Sequence, residues 1–87
     1  MKYVDVLHVV TWHCHGETLS SYFVNTVECS DEQGASRKAE RRLRSYFKQN
    51  KREVVSITLG YVRPCGYFDE LVGKVPGYSI SGVNERV

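Results

Sequence analysis

The chain has 87 residues, 41% of them hydrophobic and 25% charged, with a formal net charge of +2. That length holds one hydrophobic core and excludes a second domain, and the balance of apolar and charged residues excludes a disordered or fibrous class. The most apolar stretch, Tyr3 to Trp12, is interrupted by Asp5 and His8 and falls far short of the roughly 20 residues that span a bilayer. Met1 to Val6 lacks the apolar run of a secretory leader, and Cys14, Cys29 and Cys65 form an odd set without paired spacing, so a cytoplasmic protein with three free thiols is expected.

Tyr3 to Trp12 reads as a β-strand: it is rich in Val, Tyr and Trp, and a period of two puts Val4, Val6, Val10 and Trp12 on one face, which His8 shares. Gly16 supplies a turn, and a second strand is expected over Ser21 to Glu28, which makes a hairpin whose loop is longer than the two-residue ideal. Ser30-Asp31-Glu32-Gln33 is a helix start, with Ser30 as the cap and Gln33 reaching back to it. Ala35, Ala39, Leu43, Tyr46 and Phe47 then fall on one stripe of a 3.6-residue spiral, and Asn50 offers a left-handed stop. Glu53 to Arg63 is the clearest strand, expected inside the sheet, with Val55, Ile57, Leu59 and Tyr61 alternating against Val54, Ser56, Thr58 and Gly60 before Pro64.

The elements predict an α+β two-layer sandwich in ββαβ order: one helix on a three-stranded sheet, or a four-stranded one if the tail adds a strand. Residues 1–66 make the core domain, and 67–87 an irregular, glycine-rich tail packed on or extending it. The expected strand order is 2-1-3. One helix covers one face, which leaves Leu7, Val9, Tyr22, Val24 and Val54, with Tyr3 and Thr11, on the other. That face is too apolar to stay wet and calls for the tail, a second copy or another protein.

Charge is distributed unevenly along this frame. Eight of the twelve basic residues lie between Arg37 and Arg52 against one acid, Glu40, so the window carries +7 and the remainder −5. Arg37, Arg41, Arg44 and Lys48 line up opposite the alanines, with Lys38, Arg42 and Lys51 beside them. Ordinary solvated helices mix signs for i to i+4 support, whereas this one accepts like-charge repulsion. An anionic partner compensates such a surface, and nucleic acid is the generic one, with an acidic protein surface as the other. The bland alternative is a soluble face that balances acids elsewhere. The double-stranded-RNA-binding and KH folds share the helix-on-sheet layout, but the GXXG loop and the aromatic signature of RNA-binding sheets are absent here.

Other chemistry is weaker. His13, His15 and Glu17 would share a face if extended and could form an open zinc site, but Cys29 and Cys65 fall at the opposite end of the sheet. Cys14 has histidines on both sides, but adjacent residues of an extended chain point to opposite faces, so neither histidine is placed to activate it. No phosphate-cradling glycine loop is present. His8 reads as a core histidine. The sequence therefore points to a non-enzymatic binding module without a cofactor or bound metal. Its anionic partner would be held by Arg37, Lys38, Arg41, Arg42, Arg44 and Lys48. A second reading is a small inhibitor or regulator, of the kind phages and mobile elements encode, that captures a larger protein or pairs as a homodimer through Leu7, Val9, Tyr22 and Val24.

Overall fold

The computed structural model describes residues 2–69 and 85–86. Three antiparallel strands and one helix follow in ββαβ order, β1 (Lys2–Cys14), β2 (Glu17–Cys29), α1 (Glu32–Gln49) and β3 (Glu53–Pro64), and form the small α+β fold expected. The sheet order β3-β1-β2 puts the first strand in the middle, as the 2-1-3 order anticipates. Both outer strands are antiparallel to β1. They therefore run parallel to each other, which requires the helical crossover between them. Of a fourth strand, the described residues contain only a two-residue contact, Glu85–Arg86, parallel to Phe23–Val24 at the outer edge of β2. The rest of the tail expected from residue 67, namely 70–84 and 87, lies outside the described residues.

The hairpin is tighter and longer than expected. Strand pairing continues through Cys14↔Glu17, so the loop is the two-residue ideal, His15-Gly16. Both residues have positive φ, 50° and 80°, as a type I′ turn requires. Glycine adopts that region without cost, and His15 is carried along because the I′ twist matches the twist of the strands.

The helix cap is Asp31 rather than Ser30: its carboxylate accepts the Gly34 N–H at 2.6 Å. Both residues are good caps, and the helix begins one residue later than a Ser30 cap implies. At the other end, Asn50 has φ −90° and is not left-handed; Lys51 is, at φ 54°. The Arg52 N–H reaches the Phe47 carbonyl at 2.9 Å and the Lys51 N–H reaches that of Lys48 at 3.1 Å, the paired bonds of a Schellman ending with lysine at the usual glycine position. Between the caps Ala35, Ala39, Leu43 and Phe47 are buried, and Tyr46 is half-buried, as the stripe predicts.

The core under the helix has two halves. Val4, Val6, Val27 and Cys29 pack with Ala35 and Ala39, where small side chains let the helix come close. Val10, Trp12, Phe23, Leu43 and Phe47 fill the wider end, with Trp12, Phe23 and Phe47 in mutual edge or tilted contact at 5.2–5.8 Å. His8 and Asn25, both fully buried, lie between these halves.

β3 departs most from expectation. It lies at the edge of the sheet, where the 2-1-3 order puts it and not inside as its alternation suggests, and is mostly exposed. Its pairing with β1 shifts register twice, between Leu7/His8 and Thr11/Trp12. Gly60 and Val55 are the extra residues, and each bulge resets the alternation. Val54, Ile57, Leu59 and Val62 therefore pair with Trp12, Val10, His8 and Val6 on the helix side, whereas Tyr61 pairs with Leu7 on the other face. A Cβ at Gly60 would sit 3.1 Å from the Leu7 carbonyl oxygen, so the bulge needs glycine for backbone approach.

Candidate anion-binding face

Arg37, Lys38, Arg41, Arg42, Arg44 and Lys48 are all exposed on α1, but they divide into two groups. Lys38 and Arg42 point down toward β2. The Lys38 ammonium donates to the Glu28 carbonyl at 2.6 Å and the Arg42 guanidinium to the Thr26 carbonyl at 2.7 Å. These are charge-assisted bonds to the edge of the sheet, and they turn two of the six predicted anion ligands into clamps that hold the helix on β2. The sequence gives α1 its amphipathic period but not which flank of the helix overhangs an open strand edge.

The other four, Arg37, Arg41, Arg44 and Lys48, recur at spacings of four, three and four, so they share one line on the side of α1 opposite Ala39 and Leu43. From Arg37 to Lys48 that ridge runs about 17 Å at 1.5 Å per residue. Arg44 donates to the Glu40 carboxylate at 3.1 Å in an i to i+4 pair. Both side chains are largely exposed, so the pair contributes a few tenths of a kcal/mol at most and leaves the guanidinium available. At the end of the helix the Arg52 guanidinium lies 5.8 Å from the Trp12 ring centroid. It extends the positive surface past the cap while resting on the core.

A shallow groove of about 390 Å³ runs beside the ridge, between the first turns of α1 and β3, lined by Glu32, Gln33, Ser36 and Arg37 above and Leu59 and Val62 below. Its floor is apolar and its rim mixed in charge. Nothing in it resembles a catalytic set.

The hairpin tip does not assemble a metal site. The tight turn puts His13, which pairs with Thr18, on the face away from the helix, and Glu17, which pairs with Cys14, on the helix face. Thr18 contacts the His13 ring nitrogen Nδ1 at 3.2 Å. Among the described residues, no group of three or more His, Cys, Asp or Glu side chains could hold a metal ion. The three thiols are free, Cys14 half-buried, Cys29 buried and Cys65 exposed. Cys14 packs against the Trp12 and Phe23 cluster.

Burial lowers the His8 pKa below the usual imidazole value, and the nearby Glu40 charge opposes that shift only in part. His8 is thus held neutral within the core, in keeping with a structural residue.

The face away from the helix is less open than its composition suggests. Leu7 and Val24 are buried in a small cluster with Phe68, against which Tyr22 packs, and Val9 is half-buried. Val54, expected there, lies on the helix side with Trp12. Phe68 is brought over by Asp5, whose buried carboxylate accepts the Thr26 hydroxyl at 2.6 Å and the Gly66 N–H at 2.9 Å. A carboxylate in mid-strand gives no hint in the sequence of a partner 61 residues away.

No helix among the described residues is long and apolar enough to cross a membrane. No protein-family model, curated protein or solved structure matches this chain.

Proposed function

We propose that this chain is a small non-enzymatic binding module that docks the outer ridge of α1 on a polyanion, nucleic acid in preference to an acidic protein surface. One observation carries the reading: Arg37, Arg41, Arg44 and Lys48 share a single exposed line, and among the described residues their one ion pair is that of Arg44 with Glu40. A ridge of about 17 Å is commensurate with about five base steps of one strand at 3.4 Å each. The contact is to the backbone, where each cation of the ridge neutralises a phosphate.

The test is fluorescence anisotropy with mixed-sequence duplex DNA and single-stranded RNA at two salt concentrations. Four phosphate contacts give a slope of roughly −3.6 in log affinity against log salt on duplex, or on the order of a 100-fold loss between about 50 and 200 mM. Arg41→Glu with Lys48→Glu abolishes binding, whereas Lys38→Ala, which removes a clamp and not a ridge cation, leaves most of it. Equal losses from the two changes, or no binding at low salt, would reject the ridge and move the search to a protein target.

A further inference from the structure

We propose that β3 is a dimerisation strand: two copies of this chain pair β3 to β3 in antiparallel register centred on Thr58, joining their sheets into one. Among the described residues, nothing pairs with the outer edge of β3, which is the end of the sheet. That edge carries three large hydrophobic residues at about half exposure, Val55 at 53%, Leu59 at 47% and Tyr61 at 55%. A long exposed apolar edge is a template for another strand unless charge, proline or a cover blocks it. From Val54 to Val62, β3 contains no charged residue and no proline; beside it, the Arg63 guanidinium lies 4.7 Å from the Tyr61 ring centroid and donates to the Val62 carbonyl at 2.9 Å, and it turns from there to the facing Glu53 in the pair.

What selects a second copy as the occupant is the self-complementarity of the strand. With Thr58 on the two-fold axis, Glu53 of one copy falls opposite Arg63 of the other, twice per dimer, so opposite charges close both ends. Ile57 falls opposite Leu59, and Val55 opposite Tyr61, which brings the exposed apolar residues together. The faces agree as well. Val54 and Val62, and likewise Ile57 and Leu59, are helix-side positions, whereas Glu53, Thr58 and Arg63 pair with residues on the opposite face. A Cβ at the Gly60 bulge would point toward Leu7 on that opposite face, so the glycine presents no side chain to block the partner strand. Matching faces put both helices on the same side of a continuous six-stranded sheet. This dimer uses residues other than the Leu7, Val9, Tyr22 and Val24 face, and it does not depend on the anion-binding reading.

The test is sedimentation velocity on the full chain at micromolar concentrations, together with cysteine trapping. The native chain sediments at twice its 10.0 kDa mass. Leu59→Lys, an exposed position where lysine leaves the core intact, puts a charge opposite Ile57 twice and weakens the dimer about tenfold or more. For trapping, Cys14 and Cys65 are changed to serine. In that background Thr58→Cys lies opposite its own copy at roughly 4.5–5.5 Å between Cα atoms, within disulfide range, and forms a covalent dimer on mild oxidation. Glu53→Cys does not, because its two copies lie about 33 Å apart along the paired strands. A monomer at all concentrations, or Glu53→Cys crosslinking as readily as Thr58→Cys, would overturn the proposal.

Discussion

The two edges of this sheet meet the same physical problem and handle it differently. At the outer edge of β2, the Thr26 and Glu28 carbonyls are taken by Arg42 and Lys38 reaching down from α1, and Phe23–Val24 lie beside Glu85–Arg86. At the outer edge of β3, no described segment lies alongside, and the exposed side chains are Val55, Leu59 and Tyr61. One edge is closed from within the chain by side chains whose charge would otherwise be read as partner-seeking. The other keeps its apolar residues outward. The lesson concerns how basic residues are counted: position on the helix flank, and not number, separates cations that hold the fold together from cations that face solvent.

Four variants probe this contrast. The largest effect belongs to a residue that serves both sides. Asp5 joins Thr26 on β2 to Gly66 beyond β3, so Asp5→Ala removes the buried carboxylate that accepts from the half-buried Thr26 hydroxyl and the exposed Gly66 N–H, and costs about 2–3 kcal/mol in urea unfolding. The same change frees the Phe68 segment and raises protease cleavage after Pro64. A loss under about 1 kcal/mol would mean that the two sides are held independently.

Next comes Lys38→Ala combined with Arg42→Ala, which removes two charge-assisted bonds to exposed carbonyls and costs about 1–2 kcal/mol. Hydrogen exchange at β2 should rise while that at β3 stays unchanged. Arg37→Ala with Arg41→Ala, which loses equal charge from the ridge, should leave stability within about 0.5 kcal/mol. If the two pairs behave alike, the division between clamp and ridge fails.

The smallest effect is a pH dependence common to both edges, because His8 lies under the middle of the sheet. Its folded pKa is depressed by burial, so the unfolded chain takes up the proton first. Stability is fully present above the unfolded histidine value of about 6.5 and declines as pH falls from there through the folded pKa. His8→Leu should flatten that decline in unfolding curves collected across the range, and an unchanged slope would assign it to other groups.

The helix was legible in the sequence because its determinants are local: Ala35, Ala39, Leu43 and Phe47 need only the helical period, and the cap missed by one residue because Ser30 and Asp31 are both good caps side by side. The hairpin was legible as a hairpin but not in its loop, since the two-residue turn depends on His15 accepting positive φ under the twist of strands on either side. β3 misled most. Its unbroken alternation of Val55, Ile57, Leu59 and Tyr61 predicts one face, yet bulges at Val55 and Gly60 are set by how β1 approaches, above all by the Leu7 carbonyl against Gly60. In the same way, the basic character of α1 was evident from spacing, but the diversion of Lys38 and Arg42 to β2 emerges only when the helix is docked.

The central place of β1 has a consequence for synthesis on the ribosome. The strand that ends up between two neighbours is made first, and its two edges are satisfied at different times. The β1–β2 hairpin closes around His15-Gly16 within microseconds of Cys29 clearing the exit tunnel. The opposite edge of β1, however, must wait for Pro64, about 35 residues later, or roughly 2–7 s at ordinary elongation rates of about 5–20 residues per second. During that interval Val4, Val6, Val10 and Trp12 stand on a two-stranded ribbon with one side open, and α1 is the only element that emerges in time to shelter them. The helix therefore shelters the nascent hairpin before it serves as a surface, and fast translation between Glu32 and Glu53 shortens the time for which the hairpin stands uncovered.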